Sequence, residues 1–156
     1  MTQAARVYWR RAAWIVGPLC PQETGPYVAT SPYVRLPDSI TDSALAAEVR
    51  VALSRSHTIP DIDWYATPQP PDPVLEAAGV KTWSTFHKGA KAISLYVEES
   101  QLKLYPTINE GARGGFGWLR EAERTIPATA TLDELGEALR QAFAACRASP
   151  AGKRGR

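Results

Sequence analysis

The chain has 156 residues, of which 44% are apolar and 22% are charged, as in an ordinary soluble domain that buries a core without metals or disulfides. It contains no run of about 18 apolar residues and no N-terminal apolar stretch with a cleavage site, so we expect neither a membrane span nor a secretory signal. Four of the 18 basic residues lie among the last ten residues. The rest of the chain therefore has fewer basic residues than its 16 acidic ones and is slightly acidic. Residues 148–156 are therefore expected to be a disordered basic tail, whose few charges would bind nucleic acid only weakly.

The first third of the chain predicts an antiparallel hairpin followed by a helix. Apolar and polar residues alternate on both sides of a turn at Arg10–Ala12, which is typical of two strands with one buried face. Two shorter strands are expected at Tyr27–Ala29 and Tyr33–Leu36. Thr41 then caps an amphipathic helix. The apolar stripe of this helix consists of Leu45, Val49, Ala52 and Leu53.

Residues 57–90 form an insert. Its first part, HTIPDIDWYATPQPPDP, is rich in proline and predicts a well-anchored irregular loop. Asp72 and Pro73 are good N-cap and N1 residues and Gly79 is a good C-terminal cap, so a short helix is expected at Pro73–Ala78. A second short helix is expected at Thr82–His87.

The pattern of the first unit returns about ninety residues later. A second hairpin turns near Glu98–Ser100, and short strands are expected at Phe116–Leu119 and Arg124–Ile126. Thr131 and Glu134 then form a T-x-x-E capping box at the start of a second amphipathic helix. Its stripe consists of Leu135, Leu139, Ala142 and Phe143.

Together these elements predict an α+β fold with a mainly antiparallel sheet and two long helices on one face. The two similar halves are interpreted as a duplicated β-meander–helix unit. Residues 1–147 would form a single domain, with one repeat at 5–56, the insert at 57–90 and the second repeat at 91–147.

The residue types needed for catalysis do not form a recognisable motif. The chain has no G-x-S-x-G, H-E-x-x-H or P-loop sequence, and residues 111–117 are better explained as a flexible connection than as a phosphate site. Cys20 and Cys146 do not make a disulfide framework, which favours reduced thiols in a cytoplasmic protein. His57 and His87 lack metal-ligand spacing. We therefore expect a protein that is not an enzyme and has neither cofactor nor metal.

Several landmarks along nearly the whole chain resemble the immunity proteins of bacterial contact-dependent growth inhibition (CDI) systems. These landmarks are Tyr8, Trp14-x-Val16-x-Pro18, Lys81-x-Trp83-x-x-Phe86-x-Lys88-x-Ala90, Pro106-Thr107, Gly115-Phe116 and Leu135-Gly136-x-Ala138-Leu139. Residues 57–72 depart from the pattern. The resemblance implies a protein that binds and neutralises a cognate CDI toxin C-terminal domain, often a nuclease, by covering its active site. It would act in the cytoplasm as a monomer or weak dimer, with no membrane or nucleic-acid partner.

The candidate toxin-binding residues are acids and aromatics in loops and turns, because nuclease toxins carry positive surfaces that bind phosphate. Residues 61–65 combine two carboxylates with two aromatic rings, and three further acids lie in turns. The full set is Asp61, Asp63, Trp64, Tyr65, Glu98, Glu99 and Glu110. An alternative is that Trp64 and Tyr65 pin their loop to the core and leave the acids solvated.

The second functional hypothesis is a small nucleic-acid-binding module. Exposed aromatic and basic side chains on an open sheet can stack and neutralise a single strand. The residues for this role are Arg6, Tyr8, Arg10, Arg11 and the basic tail. Tyr8, Tyr96 and Tyr105 would either line an open sheet surface or lie beneath a second covering layer.

Overall fold

The computed structural model describes residues 2–148, which form nine strands and five helices. The strands are β1 (Gln3–Arg10), β2 (Ala13–Pro21), β3 (Tyr27–Ala29), β4 (Val34–Pro37), β5 (Lys91–Glu98), β6 (Gln101–Asn109), β7 (Phe116–Trp118), β8 (Arg124–Pro127) and β9 (Arg147–Ala148). The helices are α1 (Asp42–Arg55), α2 (Pro73–Ala78), α3 (Trp83–His87), α4 (Gly111–Gly114) and α5 (Leu132–Ala145), with a 3₁₀ turn at Arg120–Ala122. The fold is α+β, as predicted.

The strands form one sheet in the order β3-β2-β1-β5-β6-β7. β4 also pairs with β2, and β8 and β9 also pair with β6. All of these pairings are antiparallel except that of β6 with β9. Both long hairpins turn at the predicted positions, where Arg11, Ala12 and Glu99 adopt positive φ angles of 50°, 57° and 56°.

The two long helices pack side by side on one face of the sheet, as predicted. Thr41 accepts a hydrogen bond from the Ala44 N–H at 3.1 Å, and the capping box of Thr131 and Glu134 is complete. The apolar stripes of both helices are buried against the sheet in the main core. Its fully buried large side chains are Val7, Val16, Val49, Ile93, Leu95, Leu102, Leu104, Leu135 and Leu139. Each contributes about 1.5–3 kcal/mol through the apolar area that it removes from water.

The short helices α2 and α3 cover part of the opposite face of the sheet. Phe86 of α3 is completely buried, and its ring lies edge-on to Tyr8 with centroids 5.0 Å apart. Asp72 caps α2, and Gly79 ends it with a φ of 72° in the left-handed region. A second covering layer is therefore correct for Tyr8, which is only 3% exposed.

The first and second halves have the same order of hairpin, short strands and long helix. An internal duplication and the boundaries of its repeats stay predictions. The predicted basic tail lies outside the described residues except for Ala148, which ends β9.

Candidate functional site

The proline-rich loop of residues 57–72, called here the Trp64 loop, is tied to the end of β2 through its backbone. Ile59 forms a parallel bridge with Gln22. The Ile59 N–H donates to the Pro21 carbonyl at 2.9 Å, and the Glu23 N–H donates to the Ile59 carbonyl at 3.0 Å. These bonds satisfy backbone groups that a free loop would leave to water.

Two side chains hold the next turn of the Trp64 loop. The buried Gln22 accepts a hydrogen bond from the Ile62 N–H at 2.7 Å. The Asp61 carboxylate accepts the Thr24 N–H at 2.8 Å and also the Thr24 hydroxyl. Those bonds, the hydroxyl first and the N–H second, hold the pKa of Asp61 below its usual value. Asp61 is thus an anchor of the loop.

The tip of the Trp64 loop presents its aromatic residues to solvent. Tyr65 is 94% exposed and Trp64 is 59% exposed. The alternative in which these two rings pin the loop to the core is therefore wrong. Asp63 shapes the tip, because its carboxylate accepts the Tyr65 N–H at 2.9 Å and its carbonyl accepts the Gln69 amide at 3.1 Å.

The three remaining acidic candidates occupy opposite ends of the sheet. Glu98 and Glu99 lie at the β5–β6 turn, at the same end of the sheet as the β2 terminus that holds the Trp64 loop. Glu98 is paired with Lys103 at 3.3 Å. Glu110 follows the other end of the nine-residue strand β6, roughly 30 Å away. Glu110 therefore lies far from the other candidates.

A cluster of aromatic rings on the sheet face opposite α1 and α5 was only partly predicted from the sequence. Tyr27, Tyr96, Tyr105 and Trp118 follow one another in contact, and we call these four residues the aromatic face. Tyr96 meets Tyr27 and Tyr105 edge-on at 5.4 and 5.9 Å, and Tyr105 stacks on Trp118 at 4.3 Å. Burial raises the pKa of the Tyr96 phenol, and nearby Arg6 opposes that shift. The period-two pattern placed Tyr96 and Tyr105 on this face, whereas the addition of Tyr27 and Trp118 depends on tertiary pairing.

Two residues proposed for a nucleic-acid platform are not available for that role. Tyr8 is buried beneath Phe86. Arg10 is also buried, and its guanidinium donates to the carbonyls of Phe86 and Thr85 at 3.0 and 3.2 Å. Both side chains attach the second layer to the sheet, and Arg11 remains exposed in the hairpin turn.

In the part of the chain that the structure describes, the contact that most resembles a nucleophile with a base joins Cys20 to His57. The Cys20 sulfur lies 3.9 Å from His57 Nδ1, but the same nitrogen lies 2.8 Å from the Arg55 carbonyl. A carbonyl can only accept, so Nδ1 carries the proton there and cannot take one from the thiol. Cys20 is also completely buried.

Within residues 2–148, no three side chains of His, Cys, Asp or Glu lie together as a metal site. His87 is buried and contacts the Asn109 amide oxygen at 2.8 Å. No helix of the described chain has the length and apolar character needed to cross a membrane.

The fold is similar to those of two solved bacterial structures. A protein of unknown function from Neisseria meningitidis matches with a TM-score of 0.72 and 17% identity, over 94% of this chain and 96% of that one. A CdiA-CT/CdiI toxin and immunity complex from Yersinia pseudotuberculosis matches with a TM-score of 0.69 and 16% identity, over 94% and 98%. At these identities the likeness shows the fold alone.

Sequence comparison gives the family. A search of curated protein sequences gives no match. The family model of CdiI, the CDI immunity protein, matches residues 29–146. This match covers most of the chain and includes both long helices, the Trp64 loop and the second hairpin. The chain belongs to the CdiI family of CDI immunity proteins.

Proposed function

We propose that this chain neutralises a cognate CDI toxin by binding its C-terminal domain through the Trp64 loop. The observation that carries the proposal is the combination of a firmly held loop with exposed aromatic rings at its tip. Trp and Tyr are enriched at the centres of protein interfaces, where they bury a large area with few rotatable bonds. Adjacent exposed aromatic rings of this kind are typical of a surface that binds another molecule.

The anchoring of the loop reduces the entropic cost of binding. Asp61, Gln22 and the Ile59 bridge fix the backbone on the N-terminal side of the tip before a partner arrives. Preorganisation of this kind raises affinity without new contacts. Asp63 adds an exposed carboxylate beside the rings, which suits a toxin with a cationic surface.

The finer parts of the proposal concern the mode of inhibition. The chain would act in the cytoplasm, by binding and not by catalysis, as a monomer or weak dimer. The toxin would be a nuclease, because an acidic, aromatic plug complements a cleft built to bind phosphate. The bound loop would cover that cleft, and Glu98 and Glu99 would contribute from the same end of the sheet.

The test is a calorimetric titration of the purified chain with the C-terminal toxin domain encoded beside it. Trp64→Ala is expected to weaken binding by about 30-fold or more, the loss typical of an interface hot spot. Leu132→Ala is the matched control, since Leu132 is an exposed apolar residue on α5, across the sheet from the aromatic face. Equal affinity of Trp64→Ala and wild type would refute the role of the loop.

A further inference from the structure

The sheet face opposite α1 and α5 contains a second feature that the Trp64 loop does not explain. Arg6 on β1 lies directly opposite Ser94 on β5 and Gly17 on β2. Directly opposed residues of antiparallel strands point to the same face. The side chains of Arg6 and Ser94 are therefore neighbours on the face that carries Tyr96.

Both of these neighbours have buried polar atoms that lack hydrogen-bond partners. Ser94 is completely buried, and its hydroxyl contacts no donor or acceptor among residues 2–148. Arg6 Nε is buried and equally unpartnered within that part of the chain. An unmade hydrogen bond at a buried polar atom is destabilising, and more so for a charged group. Two such atoms on facing residues indicate a site that a ligand completes.

Arg6 also differs from Arg10 and Arg50, two arginines of the described chain that are buried or half-buried, in the number of hydrogen bonds that its guanidinium donates. The guanidiniums of Arg10 and Arg50 each donate to two backbone carbonyls. Arg6 Nη1 donates only to the Tyr8 hydroxyl, at 3.2 Å. The ion pairs of the described residues use Lys103, Arg140 and Arg147 as their cations, so Arg6 has no carboxylate there.

Aromatic rings surround the unpaired guanidinium. The Tyr33 ring lies so close over Gly17 that a Cβ at that position would be 2.4 Å from a ring carbon. Tyr33 is fixed there, because its hydroxyl donates to the Pro18 carbonyl at 2.9 Å. On the other side the partly exposed Tyr96 is held by edge-on ring contacts with Tyr27, Tyr105 and Trp118.

We propose that Arg6 and Ser94 bind the carboxylate of an acidic side chain of the toxin domain, which enters between Tyr33 and Tyr96. The Nε–Nη2 edge of arginine is the edge that binds a carboxylate through two parallel hydrogen bonds, and Tyr8 already occupies Nη1. The Ser94 hydroxyl supplies a third donor. This inference rests on the proposed function. It adds a cationic contact with the toxin domain to the acidic contact that the Trp64 loop would make.

A carboxylate fits this site better than the backbone of a nucleic acid. Among residues 2–148, Lys103 on β6 is paired with Glu98, and the Arg120 guanidinium lies 5.6 Å from the Trp118 ring. Trp118 is also stacked on Tyr105, so its ring faces are occupied and bases cannot stack on them. Arg6 is a single cation without a carboxylate partner among residues 2–148, and it lies among tyrosine side chains. Such a site suits a single acidic side chain.

The discriminating experiment measures toxin affinity and thermal stability of the full chain on the same variants. Arg6→Met is expected to weaken binding of the toxin domain by at least 30-fold while the melting temperature stays equal or rises. Removal of a buried, unpaired charge does not destabilise a fold, whereas loss of a structural residue does. Arg35→Met is the control, because Arg35 is an exposed arginine on β4.

Two further variants keep the test decisive if methionine perturbs the fold. Arg6→Lys keeps the charge but loses the side-on pair of donors, and it is expected to weaken binding by about tenfold. Ser94→Ala removes the third donor and is expected to weaken binding by about three- to tenfold. Unchanged affinity in Arg6→Met and Arg6→Lys would overturn the site. It would indicate that internal water forms the hydrogen bonds of Arg6 Nε and the Ser94 hydroxyl.

The outcomes separate this inference from the proposed function. If Trp64→Ala weakens toxin binding and the Arg6 variants do not, the carboxylate site is wrong and the loop proposal stands. If wild-type protein does not bind the toxin domain, both are wrong. If a mixed-sequence single-stranded oligonucleotide binds wild type and loses affinity in Arg6→Met, the site takes phosphate and the carboxylate assignment is overturned.

Discussion

Substitution of Gly136 by alanine tests how closely the two long helices approach each other. In an isolated helix this change is favourable by about 1 kcal/mol, because glycine has the higher conformational entropy when unfolded. Here a Cβ on Gly136 would lie 2.8 Å from the backbone oxygen of Asp42 and 2.9 Å from its carbonyl carbon. Both atoms belong to the first residue of α1 and cannot move as a flexible side chain can.

The steric cost of the added Cβ is larger than the gain in helix propensity from glycine to alanine. Extra volume in a well-packed contact costs about 1–3 kcal/mol. Since the contact here is with backbone, we take the upper part of that range and expect a net loss of about 1–2 kcal/mol. For a chain of this size such a loss lowers the melting temperature by about 2–8 °C.

The assay is urea and thermal unfolding followed by circular dichroism, with Gln141→Ala as the control at an exposed position of the same helix. The control is expected to stay within about 0.5 kcal/mol of wild type. A Gly136→Ala variant that is about 1 kcal/mol more stable than wild type would refute the close approach of α1 and α5.

Three other predictions concern the core and the loop. Leu139→Ala is expected to destabilise the fold by about 2–5 kcal/mol in urea unfolding, because Leu139 is 1% exposed; an unchanged midpoint would refute its packing. Asp63→Lys is expected to weaken toxin binding by about 1–3 kcal/mol by calorimetry, whereas Glu137→Lys on α5 is not; equal effects would contradict the loop assignment. The pKa of Asp61 is lower in the folded chain than in the unfolded chain. The bonds of its carboxylate with Thr24 are therefore fully formed above about pH 3.9, the ordinary pKa of aspartate, and are lost as the pH falls through the pKa of the folded chain. The Thr24 amide resonance should titrate below pH 3.9, and a higher midpoint would refute the anchor.

The elements of this fold were predictable where the signal is local. The capping box at Thr131, the Asp72–Pro73 helix start and the two hairpin turns each depend on residues within one turn of chain. The apolar stripes of both long helices were predictable for the same reason, because a period of 3.6 is visible in a short window. The parallel strand β9 was not predicted, since its partner β6 is distant in sequence. The short helix α4 was not predicted, because two of its four residues are glycine, which disfavours helix.

The candidate site was less predictable, because exposure is a tertiary property. The composition of residues 61–65 is equally consistent with an anchored or a presented pair of rings. The exposure of Trp64 and Tyr65 in the folded chain decides the matter, and the bonds from Gln22 and Thr24 show what holds the loop instead. Arg6 appeared in sequence as one base of a mixed basic and aromatic segment. Its lack of a carboxylate becomes visible only when β1 is paired with β5 and Ser94 is placed opposite it.

The most direct test of immunity function is growth of cells that produce the adjacent toxin domain inside the cytoplasm. Co-expression of the wild-type chain is expected to restore growth, and Trp64→Ala is expected to restore it poorly despite normal folding by circular dichroism. Cells that die equally with and without the wild-type chain, although both proteins are produced, would contradict the account.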